Sequence, residues 1–140
     1  MTLSDILTLH FSLHGSIVLL SGLLGGLPFA RAIRHSRGEV AWRVVHAGGC
    51  MGGTMLLAIG WTVRLVVLPD ALKVLLAGAQ IVGTYLLVIG MFLAAISGER
   101  GIPGGGNAIN RVVALLYAAG TVLSILGGTL LVVGLVRALW

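Results

Sequence analysis

An all-α integral membrane protein, a bundle of four antiparallel helices, is the fold this sequence predicts, and three observations predict it. The first is composition: of 140 residues, 58% are hydrophobic and 9% charged, with a mean hydropathy of +1.10. A soluble domain carries about a quarter charged residues, so too few polar side chains are present to cover a water-facing surface. The second is that the apolar residues fall in four stretches, each long enough to cross a bilayer. The third is that the charges and two of the three prolines gather between or beyond the centres of those stretches. The length allows a single domain.

Span one is expected over about residues 6–29, interrupted by His10, Ser12, His14, Ser16 and Ser21. It lacks the basic flank of a secretory leader, Asp5 being the only charged side chain before Arg31, so it reads as a retained span. Pro28 introduces a basic segment with Arg31, Arg34, His35, Arg37 and Arg43 around a lone acid, Glu39. Span two is expected over about 42–68. Trp42 and Trp61 lie nineteen residues apart, about 28 Å at the helical rise, close to the hydrocarbon thickness, so the two indoles are expected at opposite interfaces. Arg64, beyond Trp61, is expected to snorkel outward. Pro69 and Asp70 make a tight turn into span three, about 71–96. The stretch Ser97–Asn110, SGERGIPGGGNAIN, holds glycines and Pro103 that do not propagate a helix. Span four follows over about 111–139.

Charge sets an expected orientation. Arg31, Arg34, Arg37, Arg43, Arg100 and Arg111 flank loops one and three, against Arg64, Lys73 and Arg137 on the other side. The positive-inside rule puts loops one and three in the cytoplasm of a bacterial inner membrane protein. The net charge of +5 is spread over these loops, so it marks topology and headgroup contact rather than nucleic acid. The one cysteine, Cys50, lies in an apolar stretch and excludes an intrachain disulfide; CxxCH is absent, which excludes covalent c-type haem.

All four acids, Asp5, Glu39, Asp70 and Glu99, lie at or beyond span ends. Cation-coupled transport and paired-carboxylate chemistry both need an acid within the membrane, so both are disfavoured. What remains inside the spans is histidine, tyrosine, amide and glycine. His10 and His14 share one face of span one at i, i+4, and His46 lies one turn inside span two. Neutral imidazole suits haem iron or zinc, but zinc wants further ligands and no Cys/His cluster supplies them. The ordinary alternative for His46 is an interfacial histidine hydrogen-bonded to a neighbour. His10 and His46 are expected at different depths, which makes a two-histidine clamp within one chain awkward.

After His46 the sequence reads AGGCMGGTM, so Gly48 with Gly52 and Gly49 with Gly53 form two overlapping GxxxG pairs. Such a face admits a porphyrin, or, more commonly, another helix. Tyr85 lies near the middle of span three with Gln80 and Thr84 nearby. A buried phenol needs a hydrogen-bond partner, either in a site or on a neighbouring helix's carbonyl. Asn107, Asn110 and Arg111 read as capping and interfacial residues.

The segment WRVVHAGGCMGGTM, Trp42 to Met55, resembles the second span of the styrene oxide isomerase family: a Trp, three residues, a histidine, a Gly two positions on, then further Gly and Met. His14-Gly15 resembles that family's first-span HG pair, Gly83-Thr84-Tyr85-Leu86 its third-span GxYL, and GIPGGGN its Gly/Pro-rich loop. The resemblance implies a four-span oligomer, here a homo-oligomer, that holds haem b near subunit interfaces. His46 would be the axial ligand of ferric iron acting as a Lewis acid, with Trp42, His14, Gly48, Gly49 and Gly52 around the cofactor. Tyr85 would hydrogen-bond the oxygen of a small apolar aryl epoxide while a 1,2-hydride shift yields the aldehyde. One departure stands out: the family's asparagine six residues after the histidine is Gly52 here. Two other readings compete, a haem-binding electron-transfer or sensor protein needing a second axial ligand, and a cofactor-free assembly protein whose GxxxG faces only pack.

Overall fold

A computed structural model describes residues 1–102 and 107–140. Four long helices carry the chain: α1 (Leu3–His35), α2 (Glu39–Thr62), α3 (Asp70–Ser97) and α4 (Ala108–Leu139). Each is long and apolar enough to cross a membrane, as the four apolar stretches predict. Part of the GIPGGGN loop, residues 103–106, lies outside the described residues.

Helix ends follow local chemistry. At the start of α1, Thr2 and Asp5 form a reciprocal capping box. Pro28 does not end this helix, which runs on to His35. A proline inside a membrane helix is tolerated because its loss of one N–H is made good by its surroundings. The basic segment is therefore a helical extension of span one, stopped by Ser36 in the left-handed region (φ 51°). Span two stops earlier than its hydropathy suggests. After Thr62 comes one 3₁₀ turn, Val63–Leu65, and Val66–Leu68 are non-helical. Val67 N–H donates to the Gly134 carbonyl (3.0 Å), and Val66 and Leu68 are buried against the bare Cα of Gly134. This strap ties the turn between α2 and α3 to the far end of α4.

Glycine decides how the helices meet. A Cβ on Gly49 would lie 2.5 Å from the Cα of Gly22, and one on Gly15 would lie 3.0 Å from the Gly53 carbonyl oxygen. The α1–α2 pair is thus in backbone contact, the close approach that small-xxx-small faces permit in lipid. A second such pair joins α3 to α4, where Cβ atoms on Gly83 and Gly120 would come within 3.0 and 2.9 Å of each other's carbonyl oxygens. Between the pairs, α3 lies along both α1 and α2, while α4 packs mainly on α3 and the strap. Only 11% of the most apolar window of α4 is buried, against 33% for α2 and α3, so α4 turns most of its surface away from the other three helices.

Polar side chains seal the two ends. At one end Arg64 does not simply snorkel: it pairs with Asp5 (3.2 Å), donates from Nε to Thr8 Oγ1 (3.2 Å) and lies over the Trp61 ring. At the other end Asn107 caps α4 by accepting the Asn110 N–H (2.7 Å). The Asn110 side chain is buried; its Oδ1 accepts from the N–H groups of Gly101 and Ile102, and its Nδ2 donates to the Ile102 carbonyl. The predicted capping role holds for Asn107, and Asn110 does more, holding the chain before residue 103 onto α4.

Candidate functional site

His46 is half-buried on α2, one turn after Trp42. Its ring lies beside α1, where Nδ1 is 2.9 Å from the Gly22 carbonyl oxygen. It would be 3.2 Å from a Cβ on Gly26, and the ring stacks on Phe29 at 6.1 Å. A carbonyl oxygen only accepts, so Nδ1 carries the proton and donates. In a neutral imidazole the lone pair is then on Nε2, and among the described residues Nε2 has no hydrogen-bond partner. A backbone carbonyl holding Nδ1–H is the arrangement that fixes ring and tautomer in metal-ligating histidines. Arg43, three residues before, reaches over the other partner in this stack, the Phe29 ring, at 5.9 Å while pairing with Glu39.

The glycines after His46 are spent on neighbouring helices. Gly49 faces Gly22 of α1; Gly48 and Gly52 face α3, where Cβ atoms would meet Met91 Sδ at 2.5 Å and Thr84 Cγ2 at 3.1 Å. Within one chain the three glycines expected around a cofactor, Gly48, Gly49 and Gly52, lie against neighbouring helices. The physical reason is the one GxxxG usually has, close helix packing. Trp42 stands edge-on to Phe92 of α3 (6.2 Å between ring centroids), on the rim of a hollow that also holds Arg31, His35 and Arg37.

Tyr85 belongs to a different constellation. Its hydroxyl is 3.1 Å from Nδ1 of His14 on α1, with the two rings edge-on at 5.6 Å. His10 stacks on His14 at 5.9 Å with 9° between the ring planes, as their i, i+4 spacing allows. The sequence reading offers Tyr85 a site or a backbone carbonyl as partner; the structure supplies a histidine side chain. His14 thereby sits with Tyr85 and not with His46. The two groups are far apart along α1: His14 and Gly22, which mark their levels, are eight residues and about 12 Å apart. The different depths expected for the first-span histidines and His46 are what the helices impose. The pairing of His14 with Tyr85 escaped the sequence reading, since nothing local says which helix α3 will lie against.

Gln80 and Thr84 do not join Tyr85. Thr84 Oγ1 donates to the Gln80 carbonyl (2.8 Å), and the Gln80 amide faces α4, with Nε2 3.4 Å from the Ser124 carbonyl. A hollow of about 780 Å³ lies between α2, α3 and α4 near loops one and three, walled by Val40, Val44, Met91, Ala95 and Tyr117.

Four membrane-capable helices, a histidine oriented through its Nδ1 and a separate histidine–tyrosine pair define an integral membrane protein whose titratable mid-span side chains, among the described residues, include imidazole and phenol. The family model of styrene oxide isomerase matches residues 7–136. The match takes in all four helices, and the chain belongs to that family. No curated protein sequence matches the chain.

Proposed function

We propose that the protein is a haem b-dependent isomerase that converts small aryl epoxides of the styrene oxide type to aldehydes. Family membership supports the isomerase class. The observation that carries the haem reading is the His46 side chain, held by Nδ1–H on the Gly22 carbonyl with its Nε2 lone pair free to ligate iron. The donor set fits a haem with a single histidine ligand and one open face. When bound, ferric haem supplies a Lewis acid for the epoxide oxygen.

The protein's own groups do the rest. Phe29 and Gly26 keep the His46 ring in place. Tyr85 offers the phenol proton to the epoxide oxygen as the benzylic C–O bond opens and a hydrogen migrates with its electron pair to the adjacent carbon. Atoms and charge balance without water or a second substrate, so a site walled by apolar helices, reached from the bilayer, suits the reaction. The complete site is proposed to lie at an interface between copies in a homo-oligomer, as the family resemblance implies. Loops one and three are proposed to face the cytoplasm of a bacterial inner membrane.

The test is the visible spectrum of detergent-purified protein with haem counted per chain, followed by styrene oxide turnover. A Soret band near one haem per chain, lost in His46→Ala, is the expected result. Full haem content in His46→Ala would sink the ligand assignment. A low-spin, six-coordinate spectrum would move the reading to electron transfer or sensing.

A further inference from the structure

We infer that His14 is the positioning residue for Tyr85, presenting an Nδ1–H to the phenol oxygen so that the phenol proton is free for the substrate. The inference rests on the reading of Tyr85 as the hydrogen-bond donor to the epoxide oxygen. A phenol has one proton. If Tyr85 gave it to His14 Nδ1, 3.1 Å away, nothing would remain for an epoxide. In the working state the direction is reversed: Nδ1–H donates, the phenol oxygen accepts, and the O–H is released from the helix interface. Accepting a hydrogen bond also makes the O–H a better donor, since linked hydrogen bonds polarise one another.

The geometry suits a fixed support. The imidazole stands edge-on to the phenol ring, at 87° between planes, and its other face is covered by the His10 ring. His14 is half-buried, and its neighbour Gly15 packs directly on α2, so the backbone that carries it cannot drift. The pair also stands in a chain that lacks the family's asparagine. The position of that residue, Gly52, is turned to Thr84, the residue before Tyr85, so the side-chain partner Tyr85 has is the imidazole from α1.

The experiment uses the full-length haem-loaded protein and four His14 and Tyr85 variants. His14→Phe keeps an aromatic ring but removes the donor; His14→Asn restores an N–H near the Nδ1 position. His14→Phe is expected to lower kcat on styrene oxide about tenfold to a hundredfold, the worth of one hydrogen bond to a developing charge, with KM and haem per chain unchanged. His14→Asn is expected to recover most of that loss. The double variant His14→Phe with Tyr85→Phe is expected to be no slower than Tyr85→Phe alone, because both removals break the same interaction.

A second readout needs no turnover. The chain has two tyrosines, so in a Tyr117→Phe background the ultraviolet resonance Raman doublet of tyrosine reports Tyr85 alone. It is expected to carry the acceptor signature with His14 or Asn at position 14, and to lose it in His14→Phe. An active wild type whose kcat is untouched by His14→Phe, additive losses in the double variant, or an unchanged Raman doublet would each overturn the inference while leaving the isomerase reading intact. A haem-loaded wild type that isomerises no aryl epoxide would remove the reading of the site itself, and this inference with it.

Discussion

At the scale of single residues, the protein sets two imidazoles to different tasks by what their Nδ1 atoms face. Nδ1 of His46 faces a carbonyl and must donate; Nδ1 of His14 faces a hydroxyl that can give or take a proton. The first is a fixed orientation, the second a choice of direction. The glycines tell a similar story. Gly22→Ala would push a methyl into the α2 backbone at Gly49 and Cys50, where no side chain can swing aside. We expect it to destabilise the detergent-solubilised protein by about 1–3 kcal/mol, read as a lower unfolding midpoint; an unchanged midpoint would mean that α1 and α2 are not in backbone contact. Gly52→Asn, which restores the family's residue, meets Thr84 Cγ2 instead, a Cβ there lying 3.1 Å away. Its cost is expected to fall when Thr84→Ala is added, since the clash is with a side chain, and comparing the two melting curves checks this.

At the scale of elements, ends and turns carry the polar work. Asn110 satisfies two N–H groups and one carbonyl of the segment before residue 103. Asn110→Ala leaves all three without these partners and is expected to cost about 1–3 kcal/mol, while Asn110→Asp keeps the two acceptor contacts and costs less. Thermal unfolding in detergent separates the two variants; equal midpoints would discount the staple. The strap Val66–Leu68 shows why hydropathy overestimates span two. Its residues are as apolar as those of a helix, but the chain there is non-helical, with Val66 and Leu68 buried against Gly134 of α4 and the Val67 N–H bonded to the Gly134 carbonyl. Pro28 shows the converse. A residue that marks a boundary in soluble helices sits inside a continuous 33-residue helix, because in lipid a helix is the arrangement that satisfies the most backbone groups.

At the scale of the whole molecule, two glycine-welded pairs, α1–α2 and α3–α4, meet through α3, and α4 leaves most of its surface uncovered by the rest of the chain. Loops one and three emerge at the same end, with the basic residues Arg31, Arg34, Arg37, Arg43, Arg100 and Arg111 around them. The proposed sidedness is checked with the native cysteine removed by Cys50→Ser and single cysteines placed by Ser36→Cys at loop one or Thr2→Cys at the N-terminus. In intact cells an impermeant maleimide is expected to label the second and spare the first. The opposite pattern would invert the topology.

Sequence alone determined that the chain is a membrane protein with four spans and that its acids lie at or beyond their ends, because hydrophobicity over some twenty residues and the position of charge are properties of the chain itself. It also held, in the spacing around His46 and the GxYL of span three, the likeness to a family that a match over residues 7–136 then bore out. Only the tertiary structure decided which faces of those spans meet. Helix order does not say that α3 lies along both α1 and α2, and so it does not say that Tyr85 falls to His14 and not to His46. Nor does GxxxG say which neighbours its bare face meets; here Gly49 and Gly53 meet the α1 backbone, and Gly48 and Gly52 meet side chains of α3. In a bilayer the hydrophobic effect does not sort one apolar face from another, so the choice fell to close packing and to a few side-chain hydrogen bonds, each made across helices far apart in sequence.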